Sequence, residues 1–121
     1  MFEIRFWPKI QVGKYTLYVA STSEQKKQGL QLVGRLPLNH LMLFPNMSAD
    51  NYFHTVRCLF PIDIIPLNSD NKVLDIWSVG TNMKLVGPTP HKTTAVIETP
   101  FGWAQKMKLK IGSNLLETLL T

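Results

Sequence analysis

The stretch Phe60-Pro61-Ile62-Asp63-Ile64-Ile65-Pro66-Leu67, followed at once by Asn68-Ser69-Asp70-Asn71, constrains this chain more than any other feature. The first part is short, apolar and β-branched, and after the polar quartet Lys72–Val79 places Leu74 and Ile76 on one face. The four residues between them are of the kind that close tight turns, so 62–79 reads as an antiparallel hairpin. Pro66 cannot donate to a ladder, which predicts that its strand ends there or lies on a sheet edge.

Period-two patterning recurs along the chain. Phe2, Ile4 and Phe6 alternate with Glu3 and Arg5 up to Pro8. Tyr15, Leu17 and Val19 alternate with Thr16 and Tyr18 after Gly13, which predicts an early hairpin. Leu41–Phe44, Tyr52–Val56, Thr93–Thr99 and Leu115–Leu120 read as further strands. Ser21-Thr22-Ser23-Glu24 has the form of a capping box, with Ser21 bonding Glu24, and predicts a helix over 22–31. Gly29 inside such a helix would cost about 1 kcal/mol relative to alanine, which implies a close contact there. A second, short helix is expected over 101–107, where Trp103 and Met107 share a face. The stretch 80–92, punctuated by Gly80, Asn82, Gly87, Pro88 and Pro90, reads as a long exposed loop.

These elements belong to one domain over residues 1–121, a length that buries roughly two-thirds of the extended surface on folding. With 45% apolar and 17% charged residues, disorder and coiled coil are excluded, and no apolar run is long enough for a membrane helix. Without a basic start leading into a long apolar stretch, the N-terminus does not read as a secretory signal, and a cytoplasmic location is expected. The expected fold class is α+β: a β-rich, small, partly closed barrel or curved sheet of about seven strands, with one main helix and one short one.

Three blocks carry a resemblance. The first is the capped helix running into Gly29-Leu30, then Gly34-Arg35-Leu36 and the Leu41–Phe44 strand. The second is His54-Thr55 followed by Phe60-Pro61-Ile62-Asp63-Ile64-Ile65, a turn and Val73. The third is Ala95-Val96-Ile97-Glu98, then Gly102, then Leu109-Lys110-Ile111-Gly112. In this order they resemble the domain-of-unknown-function family 192, small β-rich domains of bacteria, archaea and phages. The resemblance implies a fold and attaches no activity to it. Family members with the His-Thr opening tend to carry an arginine directly before the Phe-Pro pair, where this chain has Leu59; Arg57, two residues earlier, lies on the same strand face.

The polar residues of the second block are the expected site. His54 can accept or donate near neutral pH, with Thr55 beside it and Asp63 available to orient the ring. The plainer reading is that His54 and Asp63 bond backbone at a strand crossing. Arg57 and Arg35 could clamp an anion through their forked guanidinium groups, or form ordinary surface ion pairs. His40, His54 and His91 have no metal-ligand spacing and Cys58 has no second thiol, so no metal or cofactor is expected. Cys58 itself reads as a core residue.

Thirteen basic against eight acidic residues leave a net charge of +5, which favours anionic partners. The expected function is therefore non-enzymatic binding of a small anionic ligand or a partner segment at His54, Thr55, Arg57, Asp63 and Arg35, bordered by the 80–92 loop. Two rival readings are a hydrolase built on His54 and Asp63, and weak single-stranded nucleic-acid binding through Lys106, Lys108, Lys110 and Trp103.

Overall fold

The structure, a computed structural model, describes residues 3–121 of the chain. Gly13 turns β1 (Lys9–Val12) into β2 (Tyr15–Val19) with φ at +58°, a conformation that glycine adopts without steric cost. The N-terminal segment departs from the expected strand. Residues Glu3–Phe6 form one turn of 3-10 helix, closed by the Trp7 amide on the Ile4 carbonyl, and Phe2 lies outside the described residues.

Helix α1 (Ser23–Gln28) follows β2, and its box is set one residue later than the sequence suggested. Thr22 accepts the Gln25 amide at 3.1 Å, and the Gln25 side chain returns to the Thr22 amide. Glutamine serves at this position as well as glutamate. Gly29 does not sit inside the helix; with φ at +50° it ends it.

The remaining elements are β3 (His40–Phe44), β4 (Ile62–Leu67), β5 (Trp77–Val79), β6 (Ala95–Pro100), α2 (Trp103–Lys106) and α3 (Leu115–Leu120). The strands form one open six-stranded sheet in the order β1-β2-β3-β6-β4-β5. Only β2 and β3 pair in parallel, joined by the crossover that contains α1; the other neighbours are antiparallel. The chain is thus β-rich as expected, but the sheet has six strands and is not closed.

Three expected strands resolve differently, each for a local reason. Around Tyr52–Val56 only Phe53 pairs, in a single bridge to Val86. Between Val73 and Trp77 the carboxylate of Asp75 accepts the Ile76 amide and the Trp77 indole N–H, so side-chain bonds replace a ladder. Leu115–Leu120 is a helix, because Asn114 accepts the Glu117 amide at 3.0 Å and Leu115 and Leu119 bury one turn apart. Pro66 neither ends β4 nor lies on an edge. Its carbonyl accepts the Leu74 amide, so the side on which it lacks a donor lies beyond the Ile64–Trp77 pair that ends the β5 ladder. Asn68 closes the expected turn, its side-chain oxygen accepting the amides of Asp70 and Lys72.

Every residue of β4 is buried, because the sheet is covered on both faces. One face carries Tyr18, Met42, Phe44, Ile62, Ile64 and Val96, packed under Leu30, Phe53 and Cys58. The other carries Leu17, Leu41, Ile65, Leu67 and Ile97, packed under Ala104, Leu109, Leu115 and Leu119. Strand alternation therefore divides the molecule into two cores, with α1 and the 45–60 segment over one and α2 and α3 over the other. No described helix is long and apolar enough to cross a membrane.

Candidate functional site

The first core opens to solvent beside α1. Gly29 leaves no side chain over β6, and a Cβ there would stand 3.4 Å from Glu98 Oε1 and 3.4 Å from the Phe44 ring. The opposite wall is the segment 46–54. It is held in place by Thr89, whose hydroxyl donates to the Ser48 carbonyl at 2.7 Å and accepts the Asn51 amide at 2.9 Å. Asn51 in turn donates to the carbonyl and hydroxyl of Ser48. Phe53 exchanges backbone bonds with Val86 and meets Phe44 edge to face at 5.3 Å.

Between these walls lies a cavity of about 400 Å³, within the range of small-molecule sites. Phe44, Phe53, Met47 and Leu30 supply its apolar surface. Lys26, Lys27, His54, Asn46, Asn51, Ser48 and Gln28 are its polar lining. Lys26 is partly fixed, its ammonium 3.5 Å from the Asn46 carbonyl.

Glu98 forms the floor. It stands on β6 between Met42 of β3 and Ile64 of β4, is 3% exposed, and lines the cavity. Among the described residues its carboxyl has no hydrogen-bond or ion-pair partner, and its oxygens meet the cavity instead. Burial pushes this carboxyl from the usual 4.5 up to about 8, so at neutral pH it keeps its proton. The Cys58 thiol nearby is pushed up to about 11, by its own burial and then by the Glu98 charge.

The residues singled out from the sequence do not assemble as expected. His54 is exposed and lines the cavity. Asp63 lies on the other face of the sheet. Alternation from Ile62 and Ile64 turns it toward the second core, where it accepts the Ser78 hydroxyl at 2.6 Å and the Ala104 amide at 3.0 Å. It cannot orient His54, and a His54–Asp63 dyad is overturned.

Thr55 is fully buried and spent on backbone, donating to the Gly80 carbonyl at 2.7 Å and accepting the Met83 amide at 2.9 Å. Arg57 and Arg35 are exposed and outside the cavity lining; Arg57 has φ at +64°, and its carbonyl accepts the Leu32 amide. The 80–92 loop does not border the cavity either. It backs the 48–55 wall through Val86 and Thr89. No three His, Cys, Asp or Glu side chains gather as metal ligands among the described residues.

Glu98 is the residue that sequence reasoning missed as a site. Its signal was a single carboxylate inside an apolar strand, in phase with Val96. A second cleft of about 350 Å³ lies near α2, where Lys14 and Lys106 flank Trp103 and the exposed Phe101. Lys108 and Lys110 do not line it.

The helix-to-Gly29 turn, the Leu41–Phe44 strand, the Phe60–Ile65 block and Ala95–Glu98 converge on this cavity and the two sheet faces beside it. The family described as uncharacterized ACR, DUF192, matches residues 8–116. The chain belongs to that family.

Two solved structures are similar to this DUF192 domain. One is a protein of unknown function from Novosphingobium aromaticivorans, 26% identical with a TM-score of 0.71, covering 84% of this chain and 77% of that one. The other is a candidate transcription regulator from Sinorhizobium meliloti, 19% identical with a TM-score of 0.72, covering 84% of each chain. The second likeness is one of fold. No curated protein matches this DUF192 chain.

Proposed function

We propose that this DUF192 domain is a non-enzymatic binding module, taking a small anionic ligand or the acidic end of a partner segment into the cavity between α1 and Phe53. The observation that carries this reading is Glu98, a carboxyl 3% exposed, without a protein partner, at the floor of an open cavity of about 400 Å³. Its oxygens meet the cavity, where a ligand can complete the hydrogen bonds that no protein group makes. Lys26, Lys27 and His54 line the way in and favour negative charge. The binding residues are then His54, Lys26, Lys27, Asn51 and Glu98. Of the residues expected from sequence, His54 is retained, while Thr55 and Asp63 serve the fold and Arg57 and Arg35 stand outside.

The test is a thermal-shift screen of the purified protein against carboxylates, sugar phosphates and nucleotides. A ligand at 100 times its Kd adds about 2.7 kcal/mol of stability, several degrees for a domain of this size. A hit abolished by Glu98→Ala supports the reading; hits indifferent to Glu98→Ala, or no hit, overturn it.

A second reading, weak binding of single-stranded nucleic acid, draws support from Trp103 and Phe101 beside Lys14 and Lys106 in the second cleft. It requires an affinity for oligothymidylate that falls steeply with salt and is lost in Trp103→Ala.

A further inference from the structure

We propose that the group received at the floor of this cavity is a carboxylate, gripped by the proton that Glu98 holds and balanced by Lys26 and Lys27 at the mouth. The inference rests on the cavity reading above and names its ligand class.

A buried carboxyl with no cationic partner keeps its proton, and in that state it is a donor as well as an acceptor. A carboxylate brought against it makes an O–H···O⁻ bond, short and about twice as strong as a neutral one. The proton stays between the two carboxyl groups, because like charges in contact cannot both be ionised. One negative charge remains on the pair, and the ammonium groups of Lys26 and Lys27 line the same cavity. The apolar wall of Phe44, Phe53 and Met47 suits a small aliphatic or aromatic body behind the carboxylate.

A ligand amine could also pair with Glu98 by ionising it, but it would share the cavity with the two like-charged lysines that line it. The titratable groups on this side are Lys26 and Lys27 of α1, and Tyr52, His54 and Cys58 of the wall segment. β3 and β4 contribute Met42, Phe44, Ile62 and Ile64 to this face, and His40 of β3, in phase with Met42, is held there against the Tyr18 hydroxyl.

Only the protonated form of Glu98 binds in this scheme, so apparent affinity follows the protonated fraction. The burial-raised carboxyl, near 8, places the change inside an accessible pH range. Benzoate and hexanoate, ionised throughout, should bind with a Kd about tenfold weaker at pH 9 than at pH 7, with close to one proton taken up at pH 9. Calorimetry in two buffers of different ionisation heat reads both quantities, and His54→Gln shows that the imidazole is not the source. Glu98→Gln keeps an N–H donor without a charge, so it should retain binding and lose the dependence between pH 7 and 9. Glu98→Ala should lose binding.

A short acetylated dipeptide, run beside benzoate, separates a free acid from a peptide C-terminus as the source of the carboxylate; either binding with this pH profile supports the proposal. If a sugar phosphate binds and the carboxylates do not, or if affinity for the acids rises through pH 8, the carboxylate assignment falls while the anionic-ligand reading stands; if only hexylamine or benzamide binds, both fall. If carboxylates, sugar phosphates, hexylamine and benzamide all fail to bind the wild type, both fall. The wild-type pH profile decides the matter alone should a variant not fold.

Discussion

Asp63 Oδ2 accepts the backbone N–H of Ala104 at 3.0 Å, across 41 residues of chain. Gly102, the residue before helix α2, has no side chain to cap it, and the carboxylate that bonds the first turn comes from β4. The other oxygen accepts the Ser78 hydroxyl of β5, so one buried side chain ties β4, β5 and α2 together. Hydrogen bonds to a charged group contribute about 1.5–3 kcal/mol each, and the amide left unpaired adds to the loss. Asp63→Ala should lower stability by at least about 3 kcal/mol in urea unfolding. Ligand binding in the Glu98 cavity, on the opposite face, should be unchanged; a selective loss of binding at full stability would return Asp63 to the site.

Glu98 makes stability depend on pH with a defined sign. Its folded value of about 8 lies above the usual 4.5, so between these values the folded chain holds a proton that the unfolded chain has released. Its contribution therefore falls as pH rises from about 4.5, by at most about 1.4 kcal/mol per pH unit, and levels off above 8. Glu98→Gln carries no such proton. The variant should gain steadily on the wild type between pH 5 and 8 in parallel urea titrations, and a constant difference between the two curves would count against a buried, protonated Glu98.

Gly13 is required twice over. Its φ is +58°, and a Cβ at that position would stand 2.7 Å from the carbonyl oxygen of Leu119 in α3. Backbone has little freedom to give way, so Gly13→Ala should cost about 1–3 kcal/mol. The damage should appear first where the β1–β2 turn meets α3, read as lost hydrogen-exchange protection in both.

Cys58 should be unreactive in the folded protein. It is buried, and its thiol is raised to about 11, so the thiolate that attacks a disulfide reagent is scarce at pH 8. Labelling by an aromatic disulfide should be slow in buffer and rapid in denaturant. Rapid labelling of the native protein would mean that the 45–60 segment opens readily.

Much of the sheet could be read from local pattern. Ile62–Leu67 with its Asn68 turn, Tyr15–Val19 and Leu41–Phe44 alternate because one side of each residue pair must pack, and that demand is written in the strand itself. Leu115–Leu120 was not legible as a helix in the same way. Leu-Leu-Glu-Thr-Leu-Leu satisfies a period of two nearly as well as one of 3.6 over so short a span, and Asn114 with Glu117 at the third helical position was the deciding cue. Nor could Asp75 be recognised as the residue that breaks the strand before Trp77, since its bond to the indole depends on the local chain path.

The candidate site divides along the same line. By itself the sequence determined the strands Tyr15–Val19, Leu41–Phe44 and Ile62–Leu67, the presence of the capped helix, the turn at Gly13 and the family, because these depend on neighbours within a few residues or on the order of blocks along the chain. Only the tertiary structure decided which polar residues share a space. The sheet has two covered faces, and a strand residue's partner is set by the face it turns to and the strand beside it. That placement sends Asp63 to cap α2 and buries Thr55 under Gly80 and Met83. It leaves Glu98, flanked by Met42 and Ile64 and opposite the bare Cα of Gly29, facing an open cavity.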